Sequence, residues 1–193
     1  MDADPQELLE TAKRAYLDDR FSDCISLCLR VEKIASRASA CRTTALHLLG
    51  EAQMDLDQFD AAEATYSKLL QVDKTDIAYA NRGFCRMEQK KWALASSDYH
   101  EAIGINPTNL IAVKFAGECM MHLKNFIGAI SLLEEYSIKE SDAGIHHVLG
   151  LCYCHMGRYS DGYREFAKAV KIDPEYDASA EMMLKIREMI SDK

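Results

Sequence analysis

Residues 43–75, TTALHLLGEAQMDLDQFDAAEATYSKLLQVDKT, and residues 76–109, DIAYANRGFCRMEQKKWALASSDYHEAIGINPTN, decide the fold because they carry one pattern twice. Gly50 and Gly83 begin a series that Gly117 and Gly150 continue, at intervals of 33, 34 and 33 residues. An aromatic follows each glycine at one offset (Phe59, Trp92, Phe126, Tyr159), and a small residue follows at another (Ala62, Ala95, Ala129, Gly162). Within 43–75, Leu46, Leu49, Ala52 and Gln53 fall on one side of a helix. A turn comes near Asp57 and Gln58, and Ala62, Tyr66 and Leu69 line a second helix. Spacings of three and four residues put each set on one helical face. The glycine and alanine positions are small where helix axes approach closely, and the aromatics wedge against a neighbouring helix.

A period near 34 with small and aromatic residues in these places resembles the tetratricopeptide repeat family, whose unit is a helix-turn-helix. The resemblance implies an all-α, right-handed α-solenoid of stacked units whose work is to hold other proteins. The units run 43–75, 76–109, 110–142 and 143–176. Residues 5–42 form a degenerate first unit, with Phe21 and Cys24 in the aromatic and small positions but Ala12 in the glycine position. Residues 177–193 form a C-terminal capping helix, with Met183, Ile186 and Ile190 on one face.

Asn106-Pro107 and Asp173-Pro174 close two units, since proline cannot continue a helix. Asp76, Asn109 and Asp142 are the expected N-caps. The 110–142 unit diverges most: Gly128 interrupts its second helix, Leu133 replaces an aromatic, and Ser141 stands where two units have proline. It is predicted to be the softest unit, because an interior helical glycine costs about 1 kcal/mol against alanine.

Composition narrows the function. The net charge is −8 with no run of Lys and Arg, which disfavours nucleic acid and anionic lipid as partners. The start, MDADPQELLE, is acidic and lacks the apolar core of a signal peptide, and no apolar run approaches a bilayer span of ~20 residues. Seven cysteines without a leader imply reduced thiols and a cytoplasmic location, with the nucleus as the alternative.

Cys85, Cys119 and Cys152 recur at one small repeat position, occupied by Ala52 in the second unit, and Cys24 falls at the alanine position of the second helices. Packing explains them better than redox or metal chemistry. His146, His147, Cys152, Cys154 and His155 form the densest polar cluster. The spacing matches no recognised zinc motif, so these histidines read as incidental surface residues and no metal or cofactor is expected. No nucleophile elbow, phosphate loop or motif-placed carboxylate pair supports an enzyme.

Family geometry places the first helix of each unit on the concave surface. The groove ladders are then Met54, Met87, Met121 and Cys154; Glu51, Phe84, Glu118 and Leu151; His47, Ala80, Lys114 and His147; and Leu48, Asn81, Phe115 and Val148. Met87, Phe84, Phe115 and Met121 would make an apolar strip flanked by Glu51, Asp55, Glu88 and Glu118, suited to a peptide or amphipathic helix with apolar anchors and basic neighbours. Asn81 occupies an asparagine position of the clamp that some family members use for chaperone carboxylates. Glu51, His47, Ile111 and Phe115 replace the rest of that clamp, so such an adaptor is disfavoured. The expected function is a non-enzymatic scaffold or adaptor, with a holder of apolar client segments as the alternative. The divergence of the 5–42 unit also allows a homodimer through it, with Cys24, Cys28 and Leu27 expected to be exposed there.

Overall fold

The computed structural model describes residues 4–36, 39–139 and 142–191; the side chains of residues 139, 190 and 191 lie outside that description. Ser141, expected to mark the divergent unit, and the side chain of Ile190 are therefore not placed. Among the described residues the secondary structure is helical, and the chain divides into two compact units, Met1–Ile105 and Asn106–Lys193.

The N-terminal unit holds three antiparallel hairpins: α1 (Pro5–Leu17) with α2 (Phe21–Ile34), α3 (Ala40–Asp55) with α4 (Phe59–Leu69), and α5 (Asp76–Glu88) with α6 (Trp92–Ile105). Each helix packs on the next, and α1 also packs on α3. The C-terminal unit holds α7 (Leu110–His122) with α8 (Phe126–Lys139), α9 (Ala143–His155) with α10 (Tyr159–Ile172), and α11 (Asp177–Ser191). Here α7 packs on α9 and α11 on α10.

The glycine register is the seat of each hairpin. A Cβ on Gly50 would lie 2.6 Å from the Tyr66 ring, on Gly83 3.2 Å from Tyr99, on Gly117 2.7 Å from Leu133, and on Gly150 2.5 Å from Phe166. Those four large side chains are fully buried in the second helix of their own hairpin. The small register Ala62, Ala95, Ala129 and Gly162 is buried too, as are Ala52, Cys85, Cys119 and Cys152. The thiols thus pack as small hydrophobes, and burial pushes Cys85, Cys119 and Cys152 up to about 12.

All five hairpin turns use one backbone device. Asp19, Asp57, Lys90, Lys124 and Gly157, each two residues before a second helix, have φ between 56° and 74°. In each turn the following N–H reaches back five residues to a carbonyl, as from Gln58 to Gln53 and from Lys91 to Arg86, both at 2.8 Å. This is the Schellman closure, which satisfies carbonyls left open at a helix C-terminus.

Two sequence expectations are corrected at the caps and thiols. Thr75, not Asp76, caps α5: its hydroxyl accepts from the Ala78 N–H at 3.2 Å, while Asp76 sits in the first turn, where a carboxylate suits the helix dipole. Asn109 and Asp142 do cap α7 and α9. Cys24 and Cys28, expected to be exposed in a homodimer through 5–42, are fully buried in the first core, and Leu27 is partly buried against it. Gly128 also has a local cause. Its missing Cβ leaves room for the Asn125 amide, whose oxygen accepts from the Gly128 N–H at 3.2 Å at the start of α8.

Candidate functional site

The ladder residues divide into those that line the core and those that stay accessible. In the N-terminal unit Leu48 and Met87 are only 9% and 8% exposed, so they lie beneath the surface rather than on it. Met54, Glu51, Asn81 and Phe84 are half-buried. Phe84 meets Phe59 edge to face at 6.1 Å, and Met54 packs beside the same core. The Asn81 amide donates to the Tyr66 hydroxyl at 3.0 Å, which commits it to the hairpin core.

Glu51 is the unusual group of this face. It forms no ion pair among the described residues. Burial first, then the charge of Asp55, raises its carboxyl above the usual range. Asp55 itself accepts from the Tyr16 hydroxyl at 2.7 Å, a link from α1 to α3. Tyr16 was not foreseen as part of this face, and no spacing signal marks it.

In the C-terminal unit Lys114, Phe115, Glu118, Met121, His147 and Leu151 are all half-buried. The Lys114 ammonium lies 4.2 Å from the centre of the Phe115 ring, and its stem runs where a Cβ on Gly144 would sit, 2.7 Å from Lys114 Cδ. His147 Nδ1 is 2.8 Å from the Ser179 hydroxyl, and its ring packs against Phe166 and Tyr176 at 5.4 and 5.3 Å. Burial, with the Lys114 charge adding to it, lowers His147 and favours its neutral form. Spacing marks neither Tyr176, just before α11, nor Ser179 within it, because this segment reads only as a cap. Ser179 is in fact the next member of the series Ala45, Ala78, Ala112 and Ile145.

The histidine cluster disperses: His146 and His147 are not surface residues, whereas His155 is exposed. His146 is buried with Nδ1 2.7 Å from Glu165 Oε2. His155 stacks on Phe126 at 5.1 Å. Among the described residues no three His, Cys, Asp or Glu side chains gather as a metal site.

A charged network fixes the second and third hairpins. Arg82 grips the buried carboxylate of Asp98 at 3.0 and 2.7 Å, and Arg86 adds a bond at 2.8 Å. Arg86 also reaches Glu63 at 2.9 Å, and Lys91 does so at 2.8 Å. Burial alone would raise Glu63, but Lys91 and Arg86 outweigh it and hold the carboxyl down to about 2.

The tetratricopeptide repeat model matches residues 43–76, which span α4 and most of α3. The architecture is similar to that of YrrB, a tetratricopeptide protein with an unusual peptide-binding site, with a TM-score of 0.78 and 15% identity over 92% of this chain and 91% of that one. Residues 43–76 thus match a tetratricopeptide repeat, and the fold is that of tetratricopeptide solenoids. The chain's fold is equally similar to a MamA chain from Desulfovibrio magneticus RS-1 (TM-score 0.80, 14% identity, 92% of this chain and 99% of that one). A tetratricopeptide repeat protein from Parabacteroides merdae gives a TM-score of 0.85 at 17% identity, covering 97% of this chain and 73% of that one. Solenoids of stacked repeats present extended surfaces on which other proteins can bind. No helix among the described residues is long and apolar enough to cross a membrane.

Proposed function

We propose that this tetratricopeptide protein is a non-enzymatic adaptor of the cytoplasm that holds a partner's peptide or amphipathic helix on the faces of its first helices. The repeats are taken as 5–42, 43–75, 76–109, 110–142 and 143–176, closed by 177–193. Apolar anchors of the partner rest on Met54 and Phe84 in one unit and on Phe115, Met121 and Leu151 in the other. In the N-terminal unit, Leu48 and Met87 lie below that surface.

The observation that carries this reading is Glu51. A half-buried carboxylate with no cation beside it, next to a second carboxylate at Asp55, is held at a cost in desolvation and repulsion. A Lys or Arg on the partner relieves both, which makes the preferred segment apolar with basic neighbours. Glu118 occupies the same register and also has no ion pair among the described residues. YrrB, similar in fold, has a peptide-binding site, which makes peptide recognition a natural use of this architecture.

A peptide-library selection tests the reading. The wild type is expected to enrich apolar residues three or four apart with Lys or Arg beside them, and Glu51→Gln is expected to lose the basic preference while Phe84→Ala loses the apolar one. The same motif on wild type and both variants would refute it. No enriched motif, together with suppressed aggregation of unfolded clients, would instead establish a holder of apolar segments.

A further inference from the structure

The hairpin turns carry exposed aliphatic side chains that the first-helix ladders do not use. In the N-terminal unit Leu17, at the end of α1, is 80% exposed, and Leu56, just past α3, is exposed too. The Tyr16 hydroxyl bonds Asp55 at 2.7 Å, which brings these two turns together as one edge. Both turns are fixed by the left-handed Asp19 and Asp57 and their reach-back bonds, so the edge is presented at little cost in ordering.

The C-terminal unit has a matching edge. Leu123 and Met156 stand at the turn position of Leu56 and are likewise exposed, and Ile127, in the first turn of α8, is 74% exposed. The Phe126 ring stacks on His155 at 5.1 Å, which joins these two turns. Aliphatic groups gathered and left open to water in this way mark interaction surfaces.

Charge separates the two edges. Residues 17–23 and 55–60 hold six carboxylates, at Asp18, Asp19, Asp23, Asp55, Asp57 and Asp60. Their one cation is Arg20, already held between Asp18 and Asp23 at 3.1 and 3.0 Å. The next turn, with Lys90 and Lys91, ends that acidic stretch. Residues 122–128 and 155–160 hold no carboxylate and carry Lys124 and Arg158. Arg158 reaches Asp161 at 2.6 Å but remains half-exposed. An acidic edge is repelled by its own kind and attracted by the other, and every copy of the chain supplies both.

We propose that the turn edge of the N-terminal unit docks on the turn edge of the C-terminal unit of a second copy of this chain. Leu17 and Leu56 of one copy meet Leu123, Ile127 and Met156 of the other, and the aspartates around the leucines meet Lys124 and Arg158. The contact is heterologous, taking one edge of each kind, with an apolar centre and a charged rim.

Sedimentation velocity of the full-length chain over a concentration series tests this. Wild type is expected to associate as its concentration rises, and less so as sodium chloride is added. Leu17→Glu disables the acidic edge and Ile127→Glu the other, each by placing a charge in the apolar centre. Either variant alone is expected to lose affinity by about thirtyfold or more. An equimolar mixture of the two is expected to form a one-to-one complex, because each retains the edge that the other lacks. Both side chains are mostly exposed, so thermal melts should match wild type, with Leu17→Ser and Ile127→Ser replacing the pair if they do not. A wild type that stays monomeric up to its solubility limit overturns the proposal and leaves the edges to a different protein. Variants that associate like wild type, or a mixture that stays monomeric, overturn it as well.

Discussion

Replacing Gly150 by alanine puts a methyl group 2.5 Å from Cε1, 2.7 Å from Cδ1 and 2.8 Å from Cζ of Phe166, a ring with no exposed surface. Carbon atoms rest at about 3.5–4.0 Å, so the ring or helix α9 must move by about 1 Å. Alanine gains about 1 kcal/mol of helix propensity over glycine. Overpacking a filled core costs about 1–3 kcal/mol, and a methyl that strikes three atoms of a rigid ring belongs at the upper end. The net expectation is a loss of about 1–2 kcal/mol for Gly150→Ala, and the same for Gly50→Ala against Tyr66. Gly117→Ala meets Leu133 at 2.7 Å, but leucine can change rotamer, so its loss is smaller. Gly83→Ala approaches Tyr99 only to 3.2 Å and is expected near zero, while Gly104→Ala meets nothing and is expected to stabilise. Urea unfolding reads the series as shifts in midpoint at constant slope. The reasoning fails if Gly150→Ala is as stable as wild type, or if Gly83→Ala proves the most damaging of the four register substitutions.

Other parts of the structure carry four further expectations. Gly157→Ala touches no atom but places a side chain at φ 74°, so it is expected to destabilise by about 1 kcal/mol, whereas Lys124→Gly at φ 60° is expected to stabilise; thermal melts of the pair check both. Asp98→Ala removes the buried carboxylate that Arg82 and Arg86 share, leaving Arg86 paired with Glu63, and is expected to cost about 3–5 kcal/mol in denaturant unfolding. Glu63 has a depressed folded value, so its contribution is full above the ordinary Glu range, near 4.5, and drains away as pH falls towards 2. Glu63→Gln should therefore flatten the loss of stability in that window, seen in melts from pH 6 to pH 2. In alkylation by iodoacetamide, read by mass spectrometry, Cys28, Cys85, Cys119 and Cys152 should react far more slowly than the half-buried Cys41 and Cys154.

Much of the architecture was legible because packing writes itself into residue size. A glycine that faces a buried ring, as Gly50 faces Tyr66, cannot be replaced by a larger residue at no cost, so the pairing surfaces as a period. The turns were not legible in the same way. Asp19, Asp57, Lys90 and Lys124 adopt a left-handed backbone that residue type does not announce, and only Gly157 has the expected residue there. The candidate face was legible only in part. Periodicity assigned Leu48 and Met87 to it along with Phe84, but a helix flanked by two others buries more than one stripe, and spacing does not say how wide the buried arc is. The partnering of His146 with Glu165 and of His147 with Ser179 joins separate helices, which spacing along one chain segment does not reveal.

Photo-crosslinking tests the central claim most directly. A benzophenone side chain is placed at Phe84 or Glu118 on first helices, and at the exposed Ser97 or Ser131 on second helices, and adducts formed in native lysate are sequenced. Adducts at 84 and 118 to apolar segments bearing Lys or Arg, with none at 97 and 131, are the predicted result. Adducts at 97 or 131 with 84 and 118 silent would contradict the account and move the partner to the second-helix faces.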